Sequence, residues 1–390
     1  MTTGSPDDAV LDDPAALAEL DRDEMLRAVA TAGAQVREAL LLVEPEQLAL
    51  LADDDRPRAV VVVGMGGSGI AADVAVAVCG RTCPVPVVPH RGHRLPGWVG
   101  PMDLVIAVSC SGSTEETLSA TDEALRRGSR VVTVGAAGSP IAARSDGGRA
   151  VHLRVDAHGR MPRANLWGLA VPVLLVLDAV GLVDVPRDLL ARTADELDRI
   201  AERCAPGVYT LDNPAKTLAL ALAGSLPYVW GASDVANVAA ARTVAQLAEN
   251  AKYPGISGAL TEVHHNPVVV MAGVFGSLGG EVAEDDIFRD RVDDGPGWPR
   301  MRLLVLRDTD ELPQVAARAE ASHRVAEQYA VPSSELHAEG EHPLTRLASL
   351  VAPLDFATVY LALLQGVDPS PIEPIVALKG TTVPDTRDDR

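Results

Sequence analysis

The chain has 390 residues, a formal charge of -20, 47% hydrophobic residues and only 3% aromatics. That length leaves room for two domains and a sizeable core. The acidic balance without a basic patch, and the scarcity of aromatic stacking platforms, exclude a nucleic-acid partner and leave a small anion to be bound by backbone N–H groups and a few placed cations.

The first ten residues lack the basic and apolar segments of a leader, so a cytoplasmic protein is expected. Residues 13–45 carry helical periodicity, with Leu17, Leu20, Met25, Leu26, Val29, Val36 and Leu40 on one side. The texture changes at 58. The run AVVVVG at 59–64 reads as a buried strand, followed by a glycine loop and a helix over Ile70–Cys79. Further strands are expected at 85–89, 103–109, 130–134 and 151–155, with a helix at 114–127. Alternation at this spacing implies a parallel sheet covered by helices. The apolar run at 170–182 contains Asp178 and is too short to cross a membrane, so it belongs to a buried helix near 166–181. A helix at 186–204 follows. The pattern then restarts as a weaker copy: strand 225–231, helix 234–252, strand 301–307, helix 311–329 and helix 343–365. A Gly/Pro/Asp-rich stretch at 276–299 reads as a mobile surface loop, and the polar tail after 383 as frayed. The expected division is a helical segment at 1–50, a first α/β unit at 51–205 and a second at 206–390. The four cysteines, Cys79, Cys83, Cys110 and Cys204, offer no second close pair, so reduced thiols rather than zinc are expected.

Two loops carry the chemistry. GMGGSG at 64–69 joins a strand to a helix, where glycines allow a sharp turn and the helix N-terminus presents N–H groups to an anion. Gly64, Gly66 and Gly69 also fit the dinucleotide spacing, but that fingerprint needs an acid at the end of the second strand, and VVPHRGH at 87–93 has none. SCSGSTEE at 109–116 then opens a helix with hydroxyls. Ser109, Ser111 and Thr114 beside Gly112 make an uncharged phosphate cradle, although Ser113 or Thr114 followed by Glu116 could also be a plain helix cap.

With these motifs go PRA at 162–164, ENAK at 249–252, EVHHN at 262–266 and VDPSPI at 367–372 with Lys379. Together they resemble sugar isomerase (SIS) domain proteins, and more narrowly the bifunctional phosphoglucose/phosphomannose isomerases, over about 58–380. The resemblance implies two SIS subdomains, each a parallel sheet flanked by helices. It implies a metal-independent isomerase without cofactor that converts glucose or mannose 6-phosphate to fructose 6-phosphate through an enediolate. Gly67, Ser68, Ser109, Ser111 and Thr114 would bind the phosphate. Glu249 would be the base, His265 the ring-opening histidine, and Lys379 a helper in ring opening. Arg163 would clamp an oxyanion or the phosphate. A homodimer is also implied, with His265 reaching the opposite subunit's site. Ser113, Val263, His264 and the acidic 276–299 insert depart from the family pattern and leave the preferred hexose open. A phosphosugar sensor that binds without turnover is the alternative, although it would have no use for Glu249 and His265.

Overall fold

The computed structural model describes residues 8–52, 55–146, 150–280 and 299–382. The chain opens with four helices, α1 (Pro14–Leu20), α2 (Met25–Ala30), α3 (Ala32–Leu42) and α4 (Pro45–Ala52). The first is set by its ends: Pro14 takes the first position, and the Asp13 carboxylate accepts from the Ala15 and Ala16 amides. Then come β1 (Val60–Val63), α5 (Gly66–Cys79), β2 (Val87–His90), β3 (Leu104–Ser109), α6 (Glu115–Arg126), β4 (Arg130–Gly135) and β5 (Ala150–Arg154). These strands form one parallel sheet in the order β2-β1-β3-β4-β5, with Val63 opposite His90 on one side and Ala107 on the other. Helices α7 (Leu166–Ala179), α8 (Arg187–Arg203) and α9 (Pro214–Leu222) lead to the second sheet.

That sheet is built from β6 (Ser225–Gly231), β7 (Ile256–Ala259), β8 (Arg300–Arg307) and β9 (Ser333–His337), all parallel, in the order β7-β6-β8-β9. The order repeats β2-β1-β3-β4 strand for strand. Its helices are α10 (Asp234–Gln246), α11 (Leu260–Val263), α12 (Pro313–Gln328), α13 (Pro343–Leu364) and α14 (Glu373–Thr382).

Alternation within the strands sorts the core. Val60 and Val62 of β1 join Leu304 and Leu306 of β8 in one continuous cluster, together with α5, α7, α10 and α13. Val61 and Val63 face the outer helices of the first sheet, and Leu303 and Val305 those of the second. The two sheets thus enclose a shared helical layer. Helix α13 is long and apolar enough to cross a membrane, but it is wholly buried at the centre of that layer.

Three expectations need correction. The helix expected to start at Ile70 begins at Gly66, because the glycine loop is itself the first turn. The helix expected over 234–252 is α-helical only to Gln246 and then widens into a π turn over Leu247–Ala251. Strands β7 and β9 were not expected; they lie at the sheet edges and are mostly half-buried or exposed, so neither carries an apolar run. The loop expected at 276–299 and the tail after 383 lie almost wholly outside the described residues; within them, Ser277–Gly280 forms a 3-10 turn.

Candidate active site

In an open parallel sheet, a crevice forms at the carboxyl end where neighbouring strands send their chains in opposite directions. In the first sheet this point lies between β1 and β3, and both motif loops leave from it. Gly66 adopts φ +52 and Gly112 φ +68, conformations that suit glycine. The Ser68 hydroxyl accepts from the Cys110 amide at 3.2 Å, tying the first loop to the second. Ser109 and Thr114 hydroxyls lie 3.0 Å apart, and the Ser111 hydroxyl accepts from the Ser113 amide and hydroxyl. Thr114 is the residue before α6, but its side chain makes no cap bond, its hydroxyl being turned to Ser109 instead. The loop therefore departs from a plain helix cap. Ser68 and Ser109 are buried, Thr114 half-buried and Ser111 exposed, so the hydroxyls line the crevice from floor to mouth.

Gly67 joins this cradle to the next element. A Cβ on it would come within 2.8 Å of the Pro162 carbonyl carbon and 3.0 Å of the Arg163 amide, so only glycine lets the loop approach the 162–164 turn. That turn is supported from below by Gln35 of α3, whose amide nitrogen donates to the Ala164 carbonyl at 2.8 Å.

Arg163 is 2% exposed, not the surface residue its loop position would suggest. Its Nε donates to Asn250 Oδ1 at 2.8 Å, and Nη2 donates to the Pro369 and Ser370 carbonyls at 2.9 and 3.0 Å. Nη1 is directed at Glu249 Oε2, 3.5 Å away. Burial lowers the Arg163 pKa and Glu249 raises it, burial being the larger effect, but a guanidinium stays charged at neutral pH. With Nε and Nη2 committed to the protein, the edge left for chemistry is the one beside Glu249. The Arg163 carbonyl, in turn, accepts from Arg242 Nη2 at 2.8 Å. Arg242 forms a bidentate ion pair with Asp355 of α13, with bonds of 2.9 and 2.7 Å. Burial raises the Asp355 pKa, while Arg242 and Gln246 oppose the shift.

The π turn explains how Glu249 reaches this place. Its extra residue per turn is a feature often found at functional sites. Asn250 points inward to Arg163 and to the Thr358 hydroxyl at 3.0 Å, while the neighbouring Glu249 stays partly open, its side chain 29% exposed. Gly67, Ser68, Arg163 and Glu249 therefore line one continuous wall.

Two expected residues are exposed on the single chain. His265 sits on the turn after α11 and is exposed. The half-buried one is His264, edge-on to Trp230 and hydrogen-bonded to Ser322 at 2.7 Å. Lys379 is on the exposed helix α14. Sequence reasoning missed Asn250, Arg242, Asp355 and Thr358. A signal existed for two of them: a charge inside each of the apolar helices α10 and α13.

A profile for the bacterial phosphoglucose isomerase C-terminal SIS domain matches residues 211–381. A bifunctional phosphoglucose/phosphomannose isomerase from Caldicellulosiruptor bescii is 30% identical over 82% of this chain and 88% of that protein. The chain belongs to that family. The Aquifex aeolicus enzyme of the same name is 28% identical over 83% of this chain and 89% of that protein. Among solved structures, the C-terminal domain of glucosamine-fructose-6-phosphate aminotransferase from Francisella tularensis superposes with TM-score 0.64 at 15% identity, covering 89% of this chain and 98% of that one. A glucose-6-phosphate isomerase-like protein from Thermus thermophilus gives TM-score 0.56 at 18% identity, covering 95% of this chain and 99% of that one. These structures share the double-sheet fold.

Proposed function

We propose that this chain interconverts glucose 6-phosphate and mannose 6-phosphate with fructose 6-phosphate, with Glu249 as the base. The observation that carries this reading is the placement of a partly open carboxylate beside the free edge of a buried guanidinium, on the same wall as a hydroxyl-lined crevice. Phosphate seated on the loops of Ser68, Ser109, Ser111 and Thr114 anchors one end of the open-chain sugar, and carbons 1 and 2 then lie toward Glu249. The carboxylate removes the proton from C2 of the aldose as the C1–C2 double bond forms and electrons move onto the C1 oxygen; the C2 hydroxyl proton then passes to the C1 oxygen, and Glu249 returns its proton to C1, leaving the carbonyl at C2. Arg163 Nη1 supplies positive charge where the oxyanion develops. Either epimer at C2 yields the same enediolate, so one base can serve both aldoses.

Ring opening falls to His265 of a second copy, with Lys379 assisting. Support comes from the surface: His265 is exposed, Val269 and Val274 lie just beyond it, and α14 presents Val376 and Leu378 beside Lys379. Apolar surface of this kind favours coverage by a partner subunit. The Glu249→Gln variant tests the assignment. It keeps the shape but cannot accept the C2 proton, so kcat should fall by about 10²–10⁴-fold with KM nearly unchanged. Near-normal turnover would place the base elsewhere.

A further inference from the structure

The segment between α13 and α14, Asp368-Pro369-Ser370, forms one wall of the site, and its conformation is set by two cations. Arg163 Nη2 donates to the Pro369 and Ser370 carbonyls. From the other side comes Lys252, which ends the π turn in a left-handed conformation, φ 53 and ψ 37, with its amide bonded back to the Leu247 carbonyl. Its ammonium lies among four backbone oxygens: Glu249 at 3.0 Å, Asn250 at 3.3 Å, and Asp368 and Pro369 both at 3.1 Å. The Pro369 carbonyl is therefore held by both cations at once.

The four oxygens belong to two segments far apart in sequence, and one is the carbonyl of the base itself. A left-handed lysine costs energy that a surrounding structure must supply. Here the ammonium's bonds supply it. Burial and the nearby Arg163 charge lower the Lys252 pKa, while Asp368, Glu373 and Glu249 oppose that shift. Yet the residue as a whole is exposed. An exposed lysine in a strained conformation, with its charge spent on backbone carbonyls at the edge of a site, does little for global stability and much for local geometry.

The geometry points to Lys252 as a positioning residue, whose ammonium staples the 368–370 segment to the π turn and so fixes Glu249 and Arg163 relative to each other. The inference rests on the proposed role of Glu249. Its consequence is specific: without the staple, phosphate still binds at the distant hydroxyl loops, but the base and the oxyanion donor lose their mutual register. Displacements of about 1 Å in such geometry can cost 10²-fold in rate.

The test compares Lys252→Met, which keeps the stem and loses the charge, with the wild-type protein. Expected are a kcat lowered by roughly 10- to 100-fold, a KM for glucose 6-phosphate within about twofold, an unchanged melting transition and faster amide hydrogen exchange over 366–372. Aminoethylation of Lys252→Cys restores an ammonium on a side chain of nearly the same length and should recover most of the lost rate, with the wild-type protein treated in parallel to account for Cys83. Wild-type kcat in Lys252→Met, unchanged exchange in the segment, or no recovery on aminoethylation would each overturn the staple. Glu249→Gln separates the two ideas: if it is inactive while Lys252→Met is fully active, only the staple fails, and if it is active, the reading of the base fails first.

Discussion

The crevice between β1 and β3 and the crevice between β6 and β8 occupy the same place in two copies of one topology, and their chemistry is opposite. The first is lined by hydroxyls and closely packed glycines. The second is a cavity of about 300 Å3 whose lining includes Ser233, Asn237, Asp308, Asp310 and Arg346. Its strand end carries Arg307, locked by Glu311 at 2.9 Å and by Glu320 and Glu335, and Arg346 is spent on Asp308 at 2.7 Å. The carboxylates Asp308 and Asp310, and the pairing of Arg307 and Arg346, make the second crevice less suited to an anion than the proposed phosphate cradle of the first. Strand order makes the place; side chains decide what enters it.

Each crevice also contains a deeply set Asp–Arg pair, and the pairs do different work. Asp355–Arg242 holds the Arg163 carbonyl and so underlies the first site. Asp308–Arg346 closes the second. Replacing Asp355 by Leu should have the largest effect on stability, since it strands the Arg242 charge in the shared core; losses of about 3–5 kcal/mol are typical when one partner of a buried pair is removed. Urea unfolding measures this. The residual folded protein should also show a lower kcat as the 163 turn loosens. A loss of unfolding free energy of less than about 1 kcal/mol would mean that Arg242 finds water or another acceptor, and that the pair is not what supports the site.

How much of this was legible in the sequence follows the same division. The strand-loop-helix units around 64–69 and 109–116 carry local signals, an apolar run, then glycine or hydroxyls, then a helix start, so the first sheet and its crevice could be read directly. Strands β7 and β9 could not, because edge strands with polar residues have no periodicity to detect. The π turn is also invisible, since a helix pattern through Glu249 continues smoothly on paper; only the cap at Lys252 reveals the change of period. Asp355 and Arg242 are charges in apolar helices that the sequence reading passed over, and their pairing across 113 residues is a tertiary fact. His265 and Lys379 matched motifs without any local chemical signal, and on a single chain they lie on an exposed turn and an exposed helix.

The hydroxyl side of the comparison is tested by Ser111→Ala. Its oxygen is exposed at the mouth and held by Ser113, so the loop should keep its fold through the Ser109–Thr114 and Ser68–Cys110 contacts. Loss of one hydrogen bond to a charged phosphate, about 1.5–3 kcal/mol, should raise KM for every 6-phosphate by roughly 10- to 100-fold. The proton-transfer machinery is untouched, so kcat should stay near normal. A fall in kcat at unchanged KM would show that Ser111 faces the reacting carbons rather than the phosphate.

The smallest effect is expected where the second crevice is altered. Asp308→Asn keeps the size of the side chain and a carbonyl oxygen for Arg346, while removing a negative charge from the end of β8. Asp310 remains 3.7 Å from Arg346, so the guanidinium is not left without a carboxylate. The melting transition should therefore fall only slightly, and kcat and KM for glucose 6-phosphate should stay within about twofold of normal, because Asp308 is paired with Arg346 in the second crevice. Isothermal titration with inorganic phosphate adds a direct reading. If these two carboxylates are what keep anions out, Asp308→Asn combined with Asp310→Asn should acquire a second, weaker phosphate site while the first is unchanged, and the new site should be weakened by salt, as expected for a largely electrostatic interaction. A wild-type protein that already binds two phosphates would show that the hydroxyl loops are not what distinguishes the two crevices, and that backbone N–H groups at the start of α10 suffice.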